Sequence, residues 1–154
     1  MYSHLIVLCE AADGRDDELN DWYTWVHIRD VMRLSDAAIA AQRFSRSAAQ
    51  LPGGSSGKYM QPYLTLYETS DPARFSSDHA PVFTDEMPIS SAYSYSNMSE
   101  AYYDVAVLRN NVGGKNVKSD VIVERIEKGA ASSTSAEWYM DERFPLLMKL
   151  PGLS

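Results

Sequence analysis

The chain is predicted to fold as an α+β domain with the element order β-α-β-β-α-β, followed by the start of a second, partial module. Three observations predict it. A short apolar run rich in branched residues, His4 to Ala12, precedes a long amphipathic stretch, Asp16 to Leu34. Two extended segments then flank a glycine-rich break, and a weak copy of the opening strand and helix closes the chain.

His4 to Ala12 (HLIVLCEAA) reads as a buried strand, ended by Asp13-Gly14. Asp16, Asp17 and Glu18 favour a helix start, because carboxylates meet the positive end of the helix dipole. Leu19, Trp22, Tyr23, Val26 and Asp30 follow the spacing of one helical face, with His27 one turn beyond Tyr23 on the same side. Ala37 to Ser47 is assigned to a second strand, because the glycine-rich Leu51 to Lys58 and then another strand follow it. In Tyr59 to Thr69, alternation places Tyr63, Thr65 and Tyr67 on one face and Leu64, Leu66 and Glu68 on the other. Asp71-Pro72 opens a second helix, with Pro at its first position, running to about Phe75 and resuming between His79 and Glu86. Ala101 to Arg109 is the fourth strand, which completes the ferredoxin-like split arrangement over residues 1–110.

After the connector Asn111 to Asn116 the pattern restarts. The register that lays Trp138 on Trp22 also lays Ile122, Val123, Tyr139, Met148 and Leu150 on Ile6, Val7, Tyr23, Met32 and Leu34 without a gap. Residues 118–154 therefore read as a partial β-α repeat. A lone strand and helix cannot bury their apolar faces, so this piece is expected to pack on its own barrel or on a partner chain.

Composition narrows the function. With a net charge of −7 and a pI near 4.9, the chain is a poor match for phosphate backbones, and nucleic acid is not expected as a partner. No apolar run approaches the ~20 residues of a membrane helix, and the start lacks a basic region, so a cytoplasmic protein is expected. The single Cys9 lies in the first strand and reads as a buried thiol. Ten Tyr and three Trp supply flat apolar walls with polar edges, which suits an aromatic ligand. The sequence contains no nucleotide fingerprint, flavin motif or zinc-type spacing, so neither a cofactor nor a metal is expected.

The segment WYTWVHIRDVMRL, followed by a break and AAQRF, resembles the EthD-like branch of the dimeric α+β barrel superfamily. Trp22, Tyr23, His27, Arg43 and Phe44 match its pattern. The closing repeat matches through Trp138, Tyr139, Asp141, Glu142, Pro145, Pro151 and Gly152. Arg29 stands where that pattern usually has Pro, Ser35-Asp36 replaces Pro-Gly, and Thr24 or Trp25 replaces an acid. The resemblance implies a four-stranded antiparallel sheet with two helices on one face, a barrel made by pairing two sheets in a homodimer, and a pocket between sheet and helices. Members of that superfamily include cofactor-independent dehydratases, cyclases, isomerases, lyases and monooxygenases.

On this footing His27 is the expected general acid/base, since an ordinary imidazole titrates near ~6.5. Tyr23, one turn earlier, is its expected assistant, donating to a carbonyl or enolate oxygen. Asp30 is expected to orient His27 or to meet substrate, Arg43 to hold a carboxylate or phenolate, and Trp22, Tyr63, Tyr67 and His79 to line the pocket. The expected activity is lyase, dehydratase or isomerase chemistry on a small hydrophobic, aromatic or polyketide-like molecule. A cofactor-free monooxygenase and a non-catalytic binding or assembly module are the alternatives.

Overall fold

The computed structural model describes residues 3–48, 61–79 and 87–104. The chain divides into two units, Met1–Asn110 and Asn111–Ser154, and every described residue belongs to the first. The expected partial repeat at 118–154, the glycine-rich break at 51–58 and the helical resumption within 80–86 lie outside the described residues.

Four strands form one antiparallel sheet: β1 Ser3–Cys9, β2 Ala38–Ser45, β3 Tyr63–Thr69 and β4 Ser99–Asp104, in the order β2-β3-β1-β4. Helix α1, residues 16–34, links β1 to β2, and α2, Pro72–Asp78, links β3 to β4. This is the ferredoxin-like α+β fold. The two central strands alternate strictly. Ser3, Leu5, Val7 and Cys9 of β1 are buried, as are Thr65, Tyr67 and Thr69 of β3, while the residues between them are only partly covered. Register explains why these sets share a face: Leu5 lies opposite Tyr67 and Tyr102, and Val7 opposite Thr65 and Glu100. The core therefore sits between this face and the helices, where Leu19, Tyr23 and Val31 of α1 and Phe75 of α2 close over it.

Local chemistry sets the element ends. Gly14 takes φ 72°, a left-handed turn that ends the excursion of the chain after β1. At the start of α1, the Tyr63 hydroxyl donates to Asp16 (2.7 Å) and accepts from the Asn20 amide (3.1 Å), tying the first turn to β3. At its end Ser35 is extended, donates to Asp78 (2.6 Å) and accepts from the Ala37 N–H (3.2 Å). Asp71 caps α2 by accepting from the Arg74 N–H (3.0 Å), with Pro72 just inside the helix.

The first helix departs from the regular spacing expected of it. Its middle turn, Tyr23–His27, is π-helical, with the Ile28 N–H donating to the Tyr23 carbonyl five residues back. The wider turn slips the apolar stripe by one residue. The buried face runs Leu19, Tyr23, His27, Val31, whereas Val26, placed on it by 3.6-residue periodicity, points outward at 39% exposure. Between α2 and β4, residues 87–98 cross the end of β1. Ala11 bridges Tyr93, the Ala12 N–H donates to the Ala92 carbonyl (2.7 Å), and Met87 and Ala92 join the core.

The opposite sheet face carries Ile6 and Leu8 of β1, Leu64 and Leu66 of β3 and Phe44 of β2 in register, all partly buried.

Candidate functional site

A cavity of about 280 Å³ lies between α1 and the sheet. Its floor is Leu5, Val7 and Tyr67, and its α1 wall is Trp22, Tyr23, His27 and Val31. Phe75 and His79 close one side, and Met87, Tyr93, Tyr95, Met98 and Glu100 the other. Its walls are predominantly apolar and aromatic, as small-molecule sites generally are.

His27, the last residue of the π-turn, lines this space. Its ring stacks on Trp22 (centroids 4.9 Å, interplanar 26°) and meets Tyr23 edge-on (4.7 Å, 74°). Nδ1 is shielded from solvent and has no hydrogen-bond partner. A buried nitrogen in that state costs free energy unless something fills its valence, so a pocket wall is where it is best tolerated. Burial pushes the imidazole down to about 4; Asp30 works against this, while the charges of His79 and Arg43 add to it. His27 is therefore neutral at pH 7, unlike the near-neutral titrating group expected from the sequence.

Tyr23 is fully buried and contributes its ring to the wall. Its phenol sits among sheet groups: the hydroxyls of Thr65 and Tyr67, the Cys9 thiol and the Arg43 guanidinium all act on it, and burial pushes it up to about 12. The Tyr67 phenol is also raised by burial and then by Tyr23, and its hydroxyl lies beside Tyr23 without a hydrogen bond of full geometry. Burial likewise lifts the Cys9 thiol to about 11, with Arg43 opposing, so Cys9 is a protonated core residue at neutral pH.

His79 is buried and held at both nitrogens, Nδ1 2.6 Å from the Phe75 carbonyl and Nε2 2.9 Å from that of Val31. Both contacts are to backbone carbonyls, and which nitrogen donates depends on the tautomer. The ring thereby ties the last turn of α1 to α2, and its edge faces the cavity.

Of the residues singled out from sequence, His27, Tyr23, Trp22, Tyr67 and His79 converge on the cavity. Arg43, Tyr63 and Asp30 are not among its lining residues. Arg43 is instead sandwiched between the rings of Tyr23 (4.5 Å) and Tyr63 (4.8 Å), with Nη1 donating to the Asn20 carbonyl. An arginine drawn onto two aromatic faces is in place to brace α1 against the sheet, not to clamp an anion in the cavity. Tyr63 is spent on Asp16 and Asn20. Asp30 pairs with Arg33 (3.4 Å) and reaches His27 only through its field. Sequence reasoning missed the wall formed by Met87, Tyr93, Tyr95, Met98 and Glu100. The signal available was the spacing of Tyr93 and Tyr95, two apart as on one side of an extended segment.

The rings of the site form a continuous column. Trp22 meets Tyr93 at 5.8 Å, and Tyr93 meets Tyr95 at 5.0 Å and 90°. With His27, Tyr23, Arg43 and Tyr63 the column runs from the interior to the half-exposed Tyr95. The Trp22 indole N–H donates to the Pro88 carbonyl (3.0 Å), which fixes residues 87–98 against α1.

No protein-family model and no curated protein sequence matches the chain. Among solved structures it is similar to a dimeric ferredoxin-like protein of unknown function from Jannaschia sp. CCS1, with 12% identity, a TM-score of 0.47, and coverage of 68% of this chain and 100% of that one. Among the described residues, no helix is long and apolar enough to cross a membrane.

Proposed function

We propose that the protein is a cofactor-independent enzyme that performs proton-transfer chemistry of the lyase, dehydratase or isomerase type on a small hydrophobic, aromatic molecule. The observation that carries this reading is His27, whose ring lines an aromatic-walled cavity at the end of a π-turn and whose buried Nδ1 has no hydrogen-bond partner. π-Turns inside α-helices occur frequently at functional sites, and the resemblance to EthD-like proteins points to the same helix. A neutral imidazole offers one lone pair and one N–H, so it can accept a substrate proton or hydrogen-bond to a carbonyl oxygen. With its proton affinity lowered by burial, His27 takes a full proton only where developing charge is met, and Asp30 is the neighbour whose field favours that step.

Solvent-deuterium exchange tests this reading. Aromatic ketones bearing an acidic C–H are incubated with the protein in heavy water and followed by NMR. Exchange above background that is lost in His27→Gln is expected; exchange indifferent to that substitution overturns the assignment. The low proton affinity of His27 also favours a second reading, a ligand-binding pocket without turnover, which predicts saturable binding with no exchange.

We also propose a homodimer, built by pairing the sheet faces that carry Ile6, Leu8, Phe44, Leu64 and Leu66. An apolar face of this extent on a four-stranded sheet is a liability unless it is covered.

A further inference from the structure

We propose that the cavity selects an aromatic ligand bearing a basic amine, whose ammonium group sits at the rim between Tyr95 and Glu100 while its ring lies inside. This rests on the reading of the cavity as a small-molecule site and adds the charge of the molecule that enters it.

Three observations carry it. First, the lining is asymmetric in charge. Among its described residues Glu100 is the carboxylate, and no Lys or Arg side chain faces the space. Arg43, the cation nearest in sequence logic, is covered by the rings of Tyr23 and Tyr63. Second, Glu100 lies on the solvent-exposed part of the lining. It projects from β4 on the helix-facing side, opposite Val7 of the floor, and it is exposed, as is Tyr95 at 48%. Burial raises the phenol of Tyr93, Tyr23 and Cys9 add to this, and the charge of Glu100 acts in the same direction after them. Third, the rim is aromatic. Tyr95 meets Tyr93 at right angles, and Tyr93 leads on to Trp22. Ring faces carry partial negative charge, so a cation placed against them is attracted while an anion is repelled. A neutral His27 in the interior offers no positive charge to reverse the balance. A carboxylate or phenolate ligand would therefore meet a carboxylate at the entrance and no Lys or Arg among the described lining residues, whereas an ammonium would find both a counter-charge and a π-face.

The test is calorimetric titration with three probes of one shape at neutral pH: 2-phenylethylammonium, 2-phenylethanol and 3-phenylpropionate. The ammonium is expected to bind about tenfold more tightly than the alcohol, from an exposed ion pair and one cation–π contact together. The carboxylate is expected to bind most weakly. Glu100→Gln should narrow the gap between ammonium and alcohol about threefold, and Glu100→Lys should favour the carboxylate over the ammonium, with alcohol binding in both variants as the control for an intact cavity. Equal binding of ammonium and alcohol, or a gap unchanged in Glu100→Gln, overturns this inference and leaves the cavity reading standing. Failure of all three probes to bind overturns the cavity reading itself.

Discussion

Burial of His27 makes a quantitative prediction about acid sensitivity. The imidazole is held at about 4 in the folded protein and returns to about 6.5 when the chain unfolds. Between these values the unfolded state binds the proton more readily, so stability rises with pH in that window. The contribution is complete above about pH 6.5 and is lost as pH falls toward about 4. A shift of that size corresponds to roughly 3 kcal/mol over the whole window, and to about 2 kcal/mol between about pH 7.5 and about pH 5. Other groups do not imitate it. Glu18, lowered chiefly by its hydrogen bonds from Arg15, is fully exposed and is present in both proteins compared. Cys9 and Tyr23, raised by burial, titrate far above the window. The assay is urea unfolding of wild type and His27→Gln across that pH range. Wild type should lose about 2 kcal/mol more than the variant on acidification. Two parallel stability–pH curves would refute the placement of His27 in a desolvated wall.

Two further outcomes follow from the register of elements. Val31 is buried and Val26 points outward, so Val31→Ala should cost about 2 kcal/mol and Val26→Ala less than about 0.5 kcal/mol in chemical denaturation; the reverse order would mean that the helix keeps regular spacing through Tyr23–His27. For the sheet pairing, light scattering should report a dimer for wild type and a monomer for Leu64→Lys with Leu66→Glu, while a monomeric wild type would remove the proposed interface.

Much of the architecture was legible because it rests on local rules. The strand parity of Thr65 and Tyr67, the acidic first turn of α1 and the Asp71-Pro72 start of α2 each report a backbone requirement that short-range sequence satisfies. The span of α1, 16–34, was read correctly end to end. What its periodicity hid was the phase: a regular repeat of 3.6 assigns Val26 to the buried face, and nothing in YTWVH announces the extra residue in that turn. The error left Trp22, Tyr23 and His27 on the right side while misplacing Val26. Arg43 and Tyr63 were misread for a different reason. Both lie on the helix-facing side of their strands, as parity says, but parity does not tell how far along the strand the cavity extends. At that end the polar termini of α1 claim Tyr63, and the two rings claim Arg43. Residues 87–100 were unreadable as a wall because they are largely irregular. Their position is set by contacts with Glu10, Ala12 and Trp22, far away in sequence.

The column of rings from Tyr23 to Tyr95 has an optical consequence. Its Trp and Tyr chromophores, with ring centroids 5.6 Å (Trp22–Tyr23), 5.8 Å (Trp22–Tyr93) and 5.0 Å (Tyr93–Tyr95) apart at fixed, unequal angles, couple their transitions, and each coupled pair contributes a signed band to the near-ultraviolet circular dichroism. Trp22 stands at the junction of that array, touching Tyr23, His27 and Tyr93 at once, whereas Trp25 lies outside it in solvent. The protein thus carries its own label-free gauge of occupancy: any guest that wedges apart Trp22 and Tyr93 rewrites the spectrum while the peptide bands stay as they were.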